Sequence, residues 1–272
     1  MTKRGRPSLA GRRHELIVSQ IRRTGSARVA ELAELLDVSE MTVRRDLDSL
    51  DAAGLVVKVH GGAVVRYEHS SDEPGFEAKL ALSIDEKRAI AASAAVLTTD
   101  GSAIGMTAGT TTVQLAAELV SLRNLTVVTN SIRVADVFHA DDRPDRTVIL
   151  IGGERTPSDA LVGPVAVAAL GQFHLDTLFM GVHGVHEHAG FTTPNVLEAE
   201  TNKAFIAATD DLVVLADHTK WDVTGLRTIC PLSTANTIVT DDGLGEHAQS
   251  VLRREIRRVV VSVPGSATER SA

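Results

Sequence analysis

Hydrophobic residues recur with helical spacing in two short segments near the amino terminus. The first segment has the i, i+3, i+4, i+7 pattern of a helix with one buried face: Val29, Leu32, Ala33 and Leu36. The second segment also keeps its apolar residues on one face: Val43, Leu47 and Leu50. Ser39 lies just before this second segment, where its hydroxyl can accept hydrogen bonds from the free amides of the first turn. The pattern predicts two helices joined by a short turn.

The second predicted helix is polar and basic on the side opposite its apolar stripe. At about 100° per residue, Thr42, Arg45 and Ser49 point away from the stripe, and Arg44 flanks them. Arginine can form a bidentate bond with the edge of guanine, and threonine can bind a base or a phosphate. The two helices predict a helix-turn-helix that reads DNA. The alternative is an ordinary helical hairpin with a solvated polar face.

A second pattern follows the two helices and favours the DNA-binding interpretation. Gly54 is predicted to end the second helix, and the mostly apolar segments 56–59 and 63–65 flank a glycine turn at residues 60–62. Two apolar runs across such a turn predict a β-hairpin, and a hairpin in this position is a wing. The predicted DNA contacts are Arg28, Ser39, Thr42, Arg44, Arg45, Lys58 and His60.

Charge is distributed unevenly along the chain. Residues 1–30 carry +7, residues 1–70 carry +3 and residues 71–272 carry −10, which gives −7 overall. A local positive patch can bind DNA phosphates even when the whole protein is acidic. Residues 4–7, Arg-Gly-Arg-Pro, resemble the core of an AT-hook that inserts arginines into a narrow minor groove. The alternative is a basic tail without fixed structure.

Composition restricts the class of protein. The chain has 272 residues, 43% hydrophobic and 23% charged, which suits one small and one large globular domain. Cys230 is the only cysteine, so intrachain disulfides and cysteine metal clusters are excluded, as fits a reducing cytoplasm. No apolar run reaches ~18 residues and no apolar core follows the basic start, which predicts neither a membrane span nor a signal peptide. Residues 66–75 are polar and end in Pro-Gly, which predicts a linker.

Beyond the linker, short apolar runs alternate with stretches that have helical patterns. The apolar runs are Ser102–Met106, Thr126–Thr129, Thr147–Ile151, Thr177–Met180, Leu212–Ala216, Thr237–Thr240 and Val259–Val263. The helical stretches are Asp85–Leu97, Thr111–Leu119, Ile132–His139, Val165–Phe173 and Glu198–Ala207. Fully apolar strands that alternate with helices predict an α/β domain with a mostly parallel sheet covered on both faces.

Small, hydroxylic and charged residues follow these apolar runs. The first run leads into Gly109 to Thr112, where a helix is predicted to begin. The later runs lead into Asn130-Ser131, Gly152-Gly153, Gly181 to Gly184, Asp217 to Lys220 and Asp241-Asp242. Open α/β sheets bind ligands at the carboxyl ends of their strands, and free amides at a helix start suit a phosphate. The alternative is that Gly109 to Thr112 only cap a helix and the other glycines form turns.

Two further patterns predict no metal or cofactor. His183, His186 and His188 lie close together, but in a loop without a nearby cysteine they are interpreted as polar loop residues. Residues 243–248 match the dinucleotide-binding fingerprint by letter. Too little sequence follows them for the βαβ unit and the acidic ribose partner that the fingerprint requires.

Residues 38–47 followed by His60-Gly61-Gly62-Ala63 resemble the amino-terminal signature of the DeoR family of bacterial transcriptional regulators. Downstream motifs resemble the effector domain of that family, in order: Glu86-Lys87 with Ile90-Ala91, Gly109 to Thr112, Thr129-Asn130-Ser131, Gly152-Gly153, Gly181 with Gly184, and Asp217-His218-Thr219-Lys220. The resemblance covers roughly residues 12–263. It implies a winged-helix repressor whose carboxyl-terminal domain is similar to ribose-5-phosphate isomerase. Members typically control sugar or polyol catabolism, are oligomeric and respond to a phosphorylated intermediate.

The resemblance also implies roles for individual residues. Gly109, Thr110, Thr111 and Thr112 would hold the phosphate of the effector, and Asn130 and Ser131 would add polar contacts. Backbone would approach the ligand at Gly152, Gly153, Gly181 and Gly184. Further polar or charged contacts would come from Lys203, Asp217 and Lys220. The chain departs from the family at Thr107, where many members carry an aspartate that could bind sugar hydroxyls. This departure affects the expected identity of the sugar more than the expected binding of the phosphate.

The sequence therefore predicts a cytoplasmic, homo-oligomeric repressor, a dimer or tetramer, that binds double-stranded operator DNA and is released by a phosphorylated sugar or polyol. Its predicted parts are a basic arm (1–11), a winged helix-turn-helix (12–65), a linker (66–75) and an effector-sensing α/β domain (76–272). The alternative is a sugar-phosphate isomerase-like enzyme with an accessory nucleic-acid-binding domain. Such an enzyme needs an ordered set of acid and base side chains. The only candidates for this set are Glu198, Lys203 and Asp217, which do not form a convincing set, so no catalytic residues are predicted.

Overall fold

A computed structural model describes residues 9–24, 26–52, 55–59, 61–65, 75–80, 82–141 and 143–265. The described residues divide into two compact units. One holds the described residues up to 65 together with those between 77 and 82, and the other holds residues 75–76 and the described residues from 83 onward. Most of the predicted linker lies outside the described residues, and so do Arg4 to Pro7, Gly54 and His60.

Helices and strands are numbered along the chain. The helices are α1 (Leu9–Thr24), α2 (Val29–Leu36), α3 (Glu40–Ala52), α4 (Phe76–Leu80), α5 (Ile84–Ala95), α6 (Thr110–Leu119), α7 (Ile132–Ala140), α8 (Pro164–Leu170), α9 (Val196–Ala207) and α10 (Glu246–Glu255). The strands are β1 (Ser26–Arg28), β2 (Val56–Val59), β3 (Gly62–Val65), β4 (Ala103–Met106), β5 (Thr126–Thr129), β6 (Thr147–Leu150), β7 (Glu154–Arg155), β8 (Leu161–Val162), β9 (Leu175–Gly181), β10 (Gly184–His186), β11 (Gly190–Thr193), β12 (Thr209–Leu215), β13 (Arg227–Cys230), β14 (Thr237–Asp241) and β15 (Arg258–Ser262).

The amino-terminal unit is a winged helix, as the apolar pattern predicted. Helices α2 and α3 are joined by a turn in which Asp37 adopts the left-handed conformation with φ 50°. The hydroxyl of Ser39 accepts a hydrogen bond from the Thr42 amide at 3.2 Å, so Ser39 caps α3. Strands β2 and β3 form the antiparallel wing, and β1, which the sequence pattern did not reveal, pairs with β3. Helix α1 begins at Leu9, inside the predicted basic arm.

The core of this unit combines the two predicted apolar stripes with α1. Val43, Leu47 and Leu50 of α3 are buried against Ile17 and Ile21 of α1. An ion pair also joins these two helices, because Asp46 is buried on α3 and pairs with Arg13 of α1, while His14 of α1 is within hydrogen-bond distance of the same carboxylate. The Nη2 atom of Arg13 and the Nε2 atom of His14 each lie 2.9 Å from Asp46 Oδ1. Arg13, which the charge count placed in the basic amino-terminal patch, is therefore part of an internal ion pair.

Replacing Asp46 with asparagine should destabilise the amino-terminal unit, because the amide carries no negative charge and its nitrogen cannot accept the hydrogen bond that Arg13 Nε donates to Asp46 Oδ2. Loss of a hydrogen bond to a charged group costs about 1.5–3 kcal/mol. The hydrogen bond from Arg13 lowers the pKa of Asp46. The contribution of Asp46 is therefore complete above its unfolded-state pKa of about 3.9 and disappears as the pH falls through the lower folded-state value. Hydrogen exchange of the α3 amides measures the effect locally.

Asp48→Asn is the matched control for this variant. Asp48 is also on α3 and also pairs with a cation, Lys58, but both side chains of that pair are exposed. Exposed pairs contribute about 0–1 kcal/mol, so the control should leave the exchange of α3 nearly unchanged. Equal exchange in Asp46→Asn and the wild type at neutral pH would show that the buried pair does not hold α1 on α3.

The carboxyl-terminal unit is built on a seven-stranded sheet in which every pair of neighbours is parallel. The strand order is β6-β5-β4-β9-β12-β14-β15. Each of the seven apolar runs in the sequence provides one of these strands. Helices α5, α6 and α7 pack on one face of the sheet, and α8, α9 and α10 pack on the other. The predicted mostly parallel α/β sheet is confirmed.

The same unit contains two smaller β sheets, and the sequence pattern predicted neither. Strands β7 and β8 form a short antiparallel hairpin after β6. Strands β10, β11 and β13 form a separate three-stranded antiparallel sheet. In the large sheet, β5 and β6 follow β4 on one side. The next strand of this sheet along the chain, β9, pairs with β4 on its other side. The topological switch point therefore lies between β4 and β9, where open α/β sheets bind their ligands.

Candidate functional site

The carboxyl ends of β4 and β9 meet at the switch point, where the backbone around Gly181 contacts the backbone of Ala108 and Gly109. A Cβ atom added to Gly181 would lie 3.5 Å from the carbonyl oxygen of Ala108 and 3.8 Å from the Cα of Gly109. The Gly181 amide donates to the Thr107 hydroxyl at 3.1 Å, and the Thr107 amide donates to the carbonyl of Phe179 at 3.1 Å. Thr107 is buried, so this hydroxyl joins the two strands.

The loop after β4 opens α6 and presents free hydrogen-bond donors. Among the described residues, no acceptor is found for the backbone amides of Gly109 to Thr112, and the first helical bond runs from Val113 to the Gly109 carbonyl at 3.2 Å. By contrast, Ser131 caps α7 through the Val134 amide, and Asn195 caps α9 through the Leu197 and Glu198 amides. The positive end of a helix dipole adds to these donors. This loop is therefore suited to bind an anion.

The three threonines of this loop differ in what their hydroxyls do. Thr112 is fully buried, and its hydroxyl donates to the Gly109 carbonyl at 2.9 Å, which holds the loop in shape. The hydroxyls of Thr110 and Thr111 have no protein partner in the described part of the chain. Both side chains are mostly buried, with 7% of each residue exposed. Thr110 and Thr111 can therefore add donors to the free amides, whereas Thr112 supports the loop.

Asn130 and Ser131 follow β5, the strand next to β4, and lie beside the Gly109 loop. The Asn130 side chain accepts from the Ala108 amide at 3.1 Å and donates to the Leu161 carbonyl at 3.1 Å. Both residues are buried, and the Ser131 hydroxyl is used as the cap of α7. The structure brings them beside the Gly109 loop, as predicted. Their side chains hold protein backbone here, so their predicted contacts with an effector stay a prediction.

The predicted glycines divide into two groups. Gly181 faces Gly109 at the switch point, and Gly152 has open space around its Cα. A Cβ on Gly153 would overlap the backbone of Val162, and a Cβ on Gly184 would overlap the carbonyl of Val223. These last two glycines let two segments of the same chain approach each other. The predicted approach of a ligand at Gly153 and Gly184 stays a prediction.

Asp217 follows β12 at the same edge of the sheet and caps a short 3-10 helix, His218–Lys220. Its Oδ1 accepts from the Thr219 amide at 3.1 Å and from the Thr219 hydroxyl. His218, which sequence reasoning did not select, donates its amide to Asp241 Oδ1 at 2.6 Å and places Nδ1 2.6 Å from Asp241 Oδ2. The bond to Asp241 raises the pKa of His218. Burial alone would raise the pKa of Asp241, but the bonds from His218 outweigh burial and lower it.

The two predicted lysines have different surroundings. The ammonium of Lys203 pairs with Glu200 Oε1 at 2.9 Å, and Arg227 binds the same oxygen at 3.2 Å. Lys203 thus has an ion-pair partner, although it shares the single carboxylate of Glu200 with Arg227. Lys220 is half-buried beside His218, and its ammonium forms no ion pair within the described ranges. Lys220 is therefore the better placed of the two to attract an anion.

The β7–β8 hairpin contributes an ion-pair cluster that sequence reasoning missed. Asp159 is buried and binds Arg133 Nε at 2.7 Å and Arg155 Nε at 2.9 Å. Burial raises the pKa of Asp159, but the two guanidinium groups outweigh burial and leave that pKa lowered. Arg133 also stacks 5.0 Å from the ring centroid of Phe76, whose amide donates to the Pro157 carbonyl at 3.1 Å. This cluster thus joins the start of α7 to the segment that leads into α4.

No metal site is evident in the part of the chain that the structure describes, since no group of three or more suitable side chains converges there. Nδ1 of His186 accepts from the amides of His188 and Ala189 at 3.1 and 3.2 Å, so it holds the β10–β11 turn. Burial raises the pKa of the Cys230 thiol to about 11, which keeps it protonated and unreactive. None of the helices described has the length and hydropathy that crossing a bilayer requires.

Six of the seven predicted DNA-binding residues lie in the described part of the winged helix, and five of these six are exposed. Ser39, Arg44 and Arg45 are exposed at the start of α3, and Thr42 is half-buried between them. Arg28 ends β1 opposite Gly62 of the wing, and its amide donates to Glu31 at 3.1 Å. Lys58 is exposed on β2. The structure brings these six residues to one unit, and His60, the seventh, lies outside the described residues.

Carboxylates partner two of these three basic residues on α3 and the wing. Arg44 Nη2 lies 3.1 Å from Glu40 Oε2, and the Lys58 ammonium pairs with Asp48. The Lys58 amide also donates to Asp51 at 3.3 Å. The Arg45 guanidinium, in contrast, has no carboxylate partner among the described residues and points away from the core. Arg45 is therefore the most available cation of α3.

Comparison with protein-family models identifies both units. Residues 13–68 match the model described as a DeoR-like helix-turn-helix domain. Residues 82–242 match the model described as a DeoR C terminal sensor domain, which covers more than half of the chain.

Curated relatives match along most of their length. The HTH-type transcriptional repressor CsqR of Escherichia coli (strain K12) is 32% identical over 231 residues, which is 85% of this chain and 87% of that protein. A lactose phosphotransferase system repressor of Staphylococcus epidermidis is 33% identical over 227 residues, 83% of this chain and 90% of the relative. Both are similar to this chain through the winged helix and the sensor unit together.

Among solved structures, ribose 5-phosphate isomerase A from Methanocaldococcus jannaschii overlaps with 51% of this chain and 54% of its own. The identity is 18% and the TM-score is 0.37, too low to support an argument about fold or function. The predicted likeness to that isomerase stays a prediction, and the α/β architecture rests on the sheet described above.

Proposed function

The chain belongs to the DeoR family of transcriptional regulators, and on that premise we propose that it represses a sugar or polyol catabolic operon and leaves its operator when a phosphorylated intermediate binds. The winged helix binds double-stranded DNA, and the sensor unit binds the effector. The observation that carries the effector assignment is the row of free amides from Gly109 to Thr112 at the switch point of a parallel sheet. Such a row of donors at a helix start is the usual form of a phosphate site.

A sugar or polyol is proposed for the rest of the effector because polar side chains stand at the carboxyl ends of the strands beyond the phosphate loop. Asp217, His218 and Lys220 follow β12, and Asp241 ends β14. These groups offer both donors and acceptors, which suits a ligand with several hydroxyl groups. One similar protein is named a lactose phosphotransferase system repressor, and its name supports the same class of control.

The alternative, an isomerase-like enzyme with an accessory DNA-binding domain, is not favoured. The relatives that cover most of this chain are named as regulators or repressors. Of the three side chains considered for an acid–base set, Glu198 accepts from the Thr193 hydroxyl at 2.9 Å, Lys203 pairs with Glu200, and Asp217 caps a helix. Turnover of ribose 5-phosphate or fructose 6-phosphate by the pure protein would contradict the regulator assignment.

We also propose that the protein acts as a homo-oligomer, a dimer or tetramer. A single short recognition helix reads only a few base pairs, and dimers gain affinity and specificity by binding two half-sites about one helical turn apart. A two-fold symmetric operator is therefore expected. The mass of the protein by light scattering, alone and on operator DNA, measures the number of subunits.

The experiment that tests the proposed function uses the full-length protein and random DNA. Duplexes selected by the protein should converge on one operator, bound at least about a thousandfold more tightly than unrelated DNA. A panel of pentose, hexose and polyol monophosphates is then added to the complex. At least one should weaken binding by ~5–150-fold, and its dephosphorylated form should not. Selection without convergence, or release by no member of the panel, would contradict the proposal.

A further inference from the structure

Met41 is a large apolar side chain on the outward face of α3. With Val43 of the buried stripe at 0°, a step of about 100° per residue places Met41 at about 160° and Arg45 at about 200°. The exposed fraction of Met41 is 63%, whereas that of Val43 is 0%. Met41 therefore lies at the centre of the outward face, beside Arg45, and the core of the winged helix does not explain its apolar character.

The position of Met41 along α3 suits contact with a base. Met41 is the second residue of this helix, which begins at Glu40. In helix-turn-helix proteins the first residues of the second helix contact base edges in the major groove. The DNA contacts predicted from the sequence were all polar or basic side chains, so they did not include Met41. An apolar side chain at this position needs an apolar group on the DNA.

Several polar side chains around Met41 already have partners within the protein. Ser39 Oγ lies 2.9 Å from Thr42 Oγ1 and also accepts from the Thr42 amide. The guanidinium of Arg44 pairs with the carboxylate of Glu40. A base that binds these groups has to compete with the bonds inside the protein. Met41 can contact a base without breaking any such bond.

The methyl group of thymine is the apolar feature of the major groove. Each base pair presents hydrogen-bond donors and acceptors there, and only thymine adds a methyl group, at C5. The unbranched thioether side chain of methionine adapts well to an irregular apolar surface. Contact between Met41 and a thymine methyl removes both groups from water, which stabilises the complex.

The charges beside Met41 favour DNA over an apolar protein surface as its partner. Arg44 and Arg45 follow Met41 by three and four residues, so they adjoin it on the helix surface. A protein that covered Met41 would also remove the Arg45 guanidinium from water, and that group has no carboxylate partner among the described residues. Burying an unpaired charge is costly. Phosphates and guanine edges accept hydrogen bonds from guanidinium groups, so DNA can satisfy the apolar and the cationic side chains together.

We propose that Met41 contacts the methyl group of one thymine in each operator half-site and thereby determines part of the sequence specificity. Met41 and Arg45 are about 6 Å apart along the helix axis, and successive base pairs of B-DNA are about 3.4 Å apart. The thymine therefore lies one or two base pairs from the base that Arg45 reads. The proposed contact requires that α3 binds the operator, and it is independent of the identity of the effector.

Replacing thymine with deoxyuridine tests this contact, because uracil pairs with adenine but lacks the methyl group. The operator selected by the full-length wild type is synthesised with each thymine of the half-site replaced in turn, and affinity is measured by mobility shift. At one position, the replacement should weaken wild-type binding about fourfold for each half-site that carries it. Met41→Ala should bind the thymine and uracil forms of that operator equally, because alanine is too short to reach the methyl group.

Two further variants serve as controls for Met41→Ala. Met41→Leu keeps a long apolar side chain and should retain most of the preference for thymine over uracil. Leu16→Ala is the matched control, since Leu16 is also an apolar residue with 51% exposure but lies on α1. It should show the full wild-type preference. Alanine is the strongest helix former, so Met41→Ala should keep α3 folded, which its melting temperature checks.

Two results would overturn the proposal directly. One is a wild type that binds every uracil-substituted operator as tightly as the original, and the other is a Met41→Ala variant that keeps the wild-type preference for thymine. If that variant instead has a changed subunit number by light scattering and an unchanged thymine preference, Met41 contacts protein rather than DNA.

Failure of the Met41 contact can be distinguished from failure of operator binding by α3. If Arg45→Ala relaxes the sequence preference while Met41→Ala keeps the preference for thymine, α3 is the recognition helix and only the Met41 contact is wrong. If neither variant changes affinity or sequence preference, the assignment of α3 as the recognition helix is wrong as well.

Discussion

Replacing Thr111 with aspartate should leave operator binding intact and abolish release by the sugar or polyol phosphate that releases the wild type. Thr111 is the second residue of α6, inside the row of unpaired amides. A carboxylate there occupies the space of the phosphate and repels it. An acidic residue in the first turn is favourable for the helix by about 0.3–1 kcal/mol, so the fold should be preserved.

The expected size of this effect follows from the linkage between the two ligands. An effector releases DNA only to the extent that it binds the DNA-incompetent state more tightly. A typical coupling of ~1–3 kcal/mol weakens wild-type operator binding by ~5–150-fold at saturating effector. In Thr111→Asp this factor should fall to about one. Mobility-shift titrations with and without the effector measure it directly.

Thr111→Ser is the matched control, because serine keeps the hydroxyl and adds no charge. It should respond to the effector nearly as the wild type does. If Thr111→Asp still responds fully to the effector, the phosphate does not bind at this loop. The central element of the proposed function would then be wrong. Loss of operator binding in Thr111→Asp without effector would mean that the carboxylate imitates the bound phosphate.

Replacing Arg45 with alanine should weaken operator binding by ~5–150-fold, the equivalent of one bidentate base contact of roughly 1–3 kcal/mol. Arg45 is exposed, points away from the core of the winged helix and has no carboxylate partner among the described residues. It can therefore bind DNA without breaking an internal ion pair. Selection of random duplexes by the variant should also show relaxed sequence preference at one position of each half-site.

Arg44→Ala tests the neighbouring arginine, which pairs with Glu40 at 3.1 Å. Such an exposed pair contributes only about 0.3–0.5 kcal/mol, so the smaller effect expected for Arg44 comes mainly from its position on the flank of the helix. Arg123→Ala, an exposed arginine of the sensor unit, should leave operator affinity unchanged. Unchanged affinity for both Arg44→Ala and Arg45→Ala would reject α3 as the recognition helix.

Much of the fold could be predicted because helices and strands are specified by residues that are close to one another along the chain. Val43, Leu47 and Leu50 are buried as their spacing requires, and Ser39 caps α3 as its position requires. All seven strands of the parallel sheet were visible as apolar runs, since a strand covered on both faces must be apolar throughout. The Gly109 loop was recognisable for the same reason, because a helix start after a strand is a local feature.

The partners of polar side chains could not be predicted in this way. His218 and Asp241 are 23 residues apart and meet only because β12 and β14 are neighbours in the sheet. Asp159 binds Arg133 because the β7–β8 hairpin returns to the start of α7. The order of strands depends on long-range packing, which periodicity along the chain does not contain.

The sequence by itself determined the two domain types, the family and the positions of the loops that we propose bind the effector, because burial and capping act between residues close along the chain. The tertiary structure decided which polar groups remain available to bind DNA or the effector. It uses Asn130 and Ser131 to hold backbone, pairs Lys203 with Glu200 and Arg44 with Glu40, and leaves the amides of Gly109 to Thr112 and the Arg45 guanidinium without partners among the described residues. Availability depends on contacts between distant segments, so only the folded chain reveals it.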